Sequence, residues 1–244
     1  MMRVGIVQSC YIPWRGYFDF INSVDLFIVL DDIRYPVGRS WRNRNQIKTK
    51  HGLTWLTVPV AAGSHKLSID QVMIAKTTKP WATHQHNLLR ESLGKAPFFQ
   101  DALALWEAVI DAGEPTISRL NVRLIRSICS YLQIRTPLVL ARDYAVSGTK
   151  TERLINLLKR TGATVYLSGP SAQSYLDEEM FRVNRIGLEY KSYDYAPYPQ
   201  LWGPFAGTVS VLDLIANCGP DSLRFLKSGT PDSVALVAGA DEPV

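Results

Sequence analysis

The chain has 244 residues, 46% hydrophobic and 20% charged, a balance that excludes a largely disordered protein and suffices for an extended α/β core. Its longest apolar runs, Leu26 to Leu30 and Pro137 to Ala141, fall far short of the roughly 20 residues of a membrane helix, and the N-terminus enters a strand pattern directly. A cytoplasmic location without a membrane partner is therefore expected. The formal net charge of +5 admits an anionic ligand, yet the basic residues are dispersed except between Arg34 and Lys50, which disfavours nucleic acid.

In chain order, Val4-Gly5-Ile6-Val7 reads as a buried strand running into the aromatic loop Gln8-Ser9-Cys10-Tyr11-Ile12-Pro13-Trp14-Arg15-Gly16-Tyr17-Phe18. After a short helix, Leu26 to Leu30 forms a second apolar strand ending in Asp31-Asp32. Two such strands separated by a helix imply a parallel pair, and ligands of open parallel sheets sit beyond the carboxyl ends of the strands. The spacing thus directs Gln8, Cys10, Tyr11, Trp14, Gly16, Tyr17, Asp31, Asp32, Arg42, Asn43, Arg44, Asn45 and Lys48 toward one crevice. Taken singly, Trp14, Tyr17 and Phe18 read equally well as caps of the core.

Thr54 to Val60 alternates, and with His51-Gly52 as a turn it predicts a β-hairpin arm continued by Ile69 to Ile74. Helices are predicted over Lys79 to Leu93, Phe99 to Ala112 and Thr116 to Leu132, making residues 79–134 a helical insertion. Alternation resumes with strand Leu138 to Leu140, helix Thr151 to Arg160, strand Thr164 to Leu167, helix Tyr175 to Val183, strand Leu188 to Tyr190 and helix Val211 to Asn217. The fold class is α/β, a mostly parallel Rossmann-like sheet in a single domain over residues 1–228, with a loosely ordered tail over 229–244.

Ser168-Gly169-Pro170-Ser171 follows a strand and opens a helix, so Gly169 and Ser171 are candidates for an anion, although Ser171 alone also reads as an N-cap. Tyr198 and Gln200 lie in a second aromatic, proline-ordered loop suited to stacking on a planar group. The three cysteines are widely spaced and His84 and His86 lie two apart, so neither a disulfide framework nor a structural metal is expected. Asp31-Asp32 suits magnesium with substrate phosphates, or else neutralises Arg42 or Arg44. Cys10 reads either as a nucleophile activated by nearby arginines or as a small buried thiol.

Gly5-Ile6-Val7-Gln8, Tyr11 to Phe18, Asp31-Asp32, Arg42 to Asn45, Trp55 to Val60, Lys95 to Phe99, Tyr166 to Pro170, Tyr198 to Gln200 and Ser210 to Leu214 together closely resemble the WbqC-like family. That resemblance covers almost the whole chain and implies a role in bacterial surface-polysaccharide or related modification pathways. Where the family frequently carries Q-P-N-Y, this chain has Gln8-Ser9-Cys10-Tyr11, so a thiol mechanism would not be shared across members. Pro13 to Tyr17 also sits where nucleotidylyltransferases carry H-x-G-H, with Trp14 and Tyr17 in place of both histidines. The combined expectation is acyl or aminoacyl transfer to a nucleotide-linked amino sugar. Asp31 or Asp32 would take a proton, the arginines would bind an anion, and an acyl-carrier protein would be a candidate donor. Nucleotidyl transfer and noncatalytic binding are the alternatives.

Overall fold

A computed structural model describes residues 1–78 and 80–239. Strands β1 (Arg3–Val7), β2 (Leu26–Val29), β5 (Leu138–Leu140), β6 (Val165–Ser168), β7 (Gly187–Tyr190) and β8 (Ser233–Leu236) form a six-stranded sheet in the order β5-β2-β1-β6-β7-β8. All neighbours are parallel except β7 and β8. This is a mixed α/β, Rossmann-like architecture. A separate antiparallel hairpin pairs β3 (Arg44–Thr49) with β4 (Gly52–Thr57), and Gly52 at φ +107° makes the turn that an L side chain would strain.

Because helices cover both faces, β2 is buried at every position, as a parallel strand requires. On one face pack α1 (Arg15–Asn22), α3 (Phe99–Ile110), α4 (Ile117–Tyr131) and α7 (Val211–Cys218), joined by α2 (Trp81–Leu93). Val4 and Ile6 of β1 instead point into a second core with α5 (Lys150–Thr161) and α6 (Glu178–Val183). Gly5 faces α1, and a Cβ there would fall 2.3 Å from Phe20 Cε1, so the missing side chain is what lets helix and strand close. Thr149 and Glu152 form a capping box at the start of α5, and Gly162 ends it at φ 72°.

Three expectations are corrected. Ile69–Gln71 is a short 3₁₀ turn, not a continuation of the hairpin, because Ser68 and Gln71 cap it reciprocally; only Ile74 bridges back to Val60. The helix expected from Tyr175 begins at Glu178, where Asp177 caps it, and Pro170–Ser174 forms its own 3₁₀ segment. The tail expected to be loose from residue 229 contributes β8, pinned where Asp232 pairs with Arg3 and Lys191. Lys79, the expected start of a helix, and residues 240–244 of the tail lie outside the described residues.

Candidate functional site

The strand order reverses at β1, since β2 lies on one side of it and β6 on the other. Register puts Val7 beside Val29 and Gly5 beside Leu167, so Gln8 to Cys10, Asp31-Asp32 and Gly169 all leave the sheet at the same edge. This is the switch point at which Rossmann-like sheets bind ligands.

Asp31 organises that edge. Its carboxylate accepts the Ser9 amide at 2.8 Å, the Ser9 hydroxyl at 2.7 Å and the Ser118 hydroxyl from α4. Burial pushes its pKa above the ordinary carboxylate range, outweighing these bonds and the nearby Arg42 charge. Asn121, one turn along α4 from Ser118, donates to Ser9 Oγ at 3.1 Å and to the Arg42 carbonyl at 2.7 Å, while its Oδ1 is buried without a hydrogen-bond partner. Arg42 Nη1 in turn donates to the Ser9 carbonyl at 3.1 Å and to Gln8 Oε1 at 3.4 Å, and the Tyr17 hydroxyl donates to the Gln8 carbonyl at 3.1 Å. Gln8, Cys10, Tyr17, Asp31 and Arg42 therefore come together as one cluster.

The Cys10 thiol sits within it, half-buried, and burial raises its pKa against the opposing pull of Arg42. Asp32 faces away from Asp31 into an ion pair with Arg153 of α5, and its Oδ1 is buried without a partner among the described residues. Both aspartates border a cavity of about 80 Å³ that also touches Asp70, Ser118, Arg119 and Arg142.

Other expected site residues have interior or supporting positions. Tyr11 is fully buried, donating to Gln85 at 2.7 Å and accepting from the Trp106 indole at 2.8 Å. Asn45 is also buried and donates to the Tyr11 and Ile12 carbonyls, holding Ile12 in the left-handed region at φ 33°. Asn43 donates to the Val58 carbonyl, and the Arg44 guanidinium lies 3.9 Å from the centre of the Trp55 ring. Trp14 lies over Gly16 and packs on Tyr193 and Tyr195. Ser171 is exposed just past the end of β6, and Gly169 precedes it in the same turn.

Lys48, Tyr198 and Gln200 belong to a different network. Lys48 Nζ donates to Gln200 Oε1 at 2.9 Å, and Gln200 and Tyr198 both donate to Asp213 at the start of α7. Burial raises the Asp213 pKa and lowers that of Lys48. No hydrogen bond joins this network to the Asp31 cluster among the described residues.

Ser9, Ser118, Asn121 and Arg153 were not anticipated as site residues. The signal for two of them was present: Ser118 and Asn121 interrupt the buried apolar face of α4 between Ile117 and Leu124. Buried polar groups on an otherwise apolar stripe need partners, and here the partner is the edge of the sheet.

The fold and site define a Rossmann-like α/β protein with a polar cluster at its switch point. Residues 8–225 match the WbqC-like protein family, and the chain belongs to that family. It is 47% identical over 234 residues, 93% of this chain and 100% of the relative, to the "Uncharacterized protein Rv1507c" of Mycobacterium tuberculosis (strain ATCC 25618 / H37Rv). No solved structure matches it. Among the described residues no helix is long and apolar enough to cross a membrane, and no three His, Cys, Asp or Glu side chains are grouped to hold a metal ion.

Proposed function

We propose that the protein is a biosynthetic transferase of bacterial surface-polysaccharide assembly, the pathway of O-antigen and lipopolysaccharide, moving an acyl or aminoacyl group onto the amine of a nucleotide-linked sugar. The observation that carries this reading is the convergence of Gln8, Asp31 and Arg42 at the switch point of the sheet, with Asp32 next to Asp31 on the α5 side. Arg42 supplies a guanidinium for a phosphate or carboxylate, and Gln8 an amide to orient it. Asp31, engaged by three donors, positions the Ser9 loop. Asp32 keeps one carboxylate oxygen unengaged and is the group left to accept the proton when the amine attacks the acyl carbonyl. The new amide bond forms as the bond to the donor, such as the thioester of an acyl-carrier protein, breaks.

The test is mass spectrometry of nucleotide-linked amino sugars incubated with the protein and acyl or aminoacyl donors. A mass gain is expected, and Asp32→Asn should reduce it by about 10²-fold or more while the fold and nucleotide-sugar binding persist. Thermal protection by nucleotide sugars without any mass gain would point to a noncatalytic binding protein. The turn after β6 favours a second reading, nucleotidyl transfer, because Gly169 and Ser171 flank β1 where a nucleotide phosphate would lie. Protection by ATP or CTP that requires magnesium would select it.

A further inference from the structure

The arginines of α4 are not used by the reading above. Arg119, Arg123 and Arg126 recur at i, i+4 and i+7, so they share one exposed face of the helix. Isolated charges on such a face would ordinarily be solvated and carry no site. Here, however, the face is one wall of a cleft of about 570 Å³, closed on the other side by Leu140 at the carboxyl end of β5. That volume lies in the range of small-molecule sites. The cleft shares Ser118, Arg119 and Leu140 with the small cavity over Asp31 and Asp32, so the two lie side by side.

The charge balance within the cleft is asymmetric. Among the described residues Glu114 is its single lining carboxylate, and it engages Arg119 at 2.8 Å and Arg123 at 2.9 Å, in both cases through Nε. The terminal amino groups of both guanidinia make no hydrogen bond to another described residue. Among the described residues, Arg126 has no carboxylate partner and donates only to the Leu138 carbonyl at 3.2 Å. Glu114 is itself largely buried, at 8% exposure, so it tethers two exposed arginines from beneath without covering them. One acid against three guanidinia leaves a surplus of positive charge, and rigidly presented guanidinium forks match phosphate oxygens in geometry as well as sign.

The geometry points to this cleft as the binding site for the diphosphate of the substrate, with Arg119, Arg123 and Arg126 holding its oxygens and the reacting end reaching the cavity above Asp31 and Asp32. The inference deepens the transferase reading by placing the anionic handle of a nucleotide-linked sugar on the α4 side, under β5, and not between β1 and β6. Only the identity of the reacting end rests on that reading; the affinity of the cleft for diphosphate does not.

Inorganic pyrophosphate is the probe, titrated calorimetrically into the full chain at low and moderate salt. Wild type should bind, more weakly as salt rises, and Arg123→Gln with Arg126→Gln should lower affinity by about tenfold or more per arginine removed. Arg224→Gln, which removes an exposed guanidinium outside the cleft, should leave it unchanged. Should the double variant melt early because Glu114 has lost a partner, Arg126→Gln alone, which breaks no ion pair, carries the test. Absence of pyrophosphate binding in wild type, or equal affinity in the cleft variants and Arg224→Gln, overturns the assignment. If binding depends on Arg123 and Arg126 while no donor and sugar pair yields a product, the cleft stands and the transferase reading falls.

Discussion

Asp31 carries the site because of what would be stranded without it. Asp31→Ala leaves the Ser9 amide and two serine hydroxyls without their acceptor, and unfolding by denaturant should show a loss of about 2–4 kcal/mol. Its raised pKa fixes a pH dependence of definite sign: the contribution is full below the ordinary carboxyl range of about 4 and is lost as pH rises through the raised folded value. Asp31→Asn cannot ionise, so its melting temperature should fall less than that of wild type as pH rises above about 4; parallel curves would contradict this. Cys10→Ser should keep most activity, since burial holds the thiol protonated; a covalent adduct on Cys10 in wild type would restore the nucleophile. Arg42→Ala should weaken binding of an anionic substrate by about tenfold with a smaller effect on melting, because its bonds to Gln8 and Ser9 are half-exposed. The cluster of Gln8, Asp31 and Arg42 was legible because strand ends are readable from apolar runs. Tyr11 sits in the same loop but faces inward, and loop residues carry no periodicity that would reveal which side they take; Asn45, on β3, is buried on the same side as Ile47.

Elements follow the same division. Helices and parallel strands were readable to within a few residues because their apolar faces repeat at fixed spacing, as in α4 with its buried Leu120, Leu124 and Ile128. The 3₁₀ segments at Ile69–Gln71 and Pro170–Ser174 were not, since they are set by local capping and by Pro170. Nor was β8: its apolar run, Val234 to Val237, is short and largely exposed at the sheet edge, where pairing with β7 and the ions around Asp232 hold it. Burial alone would raise the Asp232 pKa, but the Ser192 amide, Arg3 and Lys191 together hold it below the usual range. Its contribution is therefore present above about pH 4 and lost as pH falls through the depressed value, so Asp232→Asn should lower stability at neutral pH and narrow its gap to wild type in acid. At the start of α1, Gly16→Ala would place a Cβ 2.4 Å from the Trp14 indole. Displacing that ring from Tyr193 and Tyr195 should cost about 1–3 kcal/mol and change the near-ultraviolet tryptophan signal.

For the molecule as a whole, the strand order matters more than any single contact. β1 lies inside the sheet, and its two neighbours are far apart in the chain: Val4 pairs with Leu26, but Arg3 pairs with Val165. The loop after β1 is clasped later still, when the Val211 amide bonds the Pro13 carbonyl and Ser210 bridges Trp14. During synthesis at roughly 5–20 residues per second, one edge of β1 thus waits on the order of ten seconds for its partner. Throughout that interval the β6 side of β1, apolar from Val4 to Val7, lacks its native partner and offers a template to any other nascent chain nearby. The arrangement that gathers Gln8, Asp31 and Gly169 at one edge of the finished sheet therefore leaves the nascent chain with an unpaired strand edge, and soluble yield in a host should rise when holding chaperones are co-expressed.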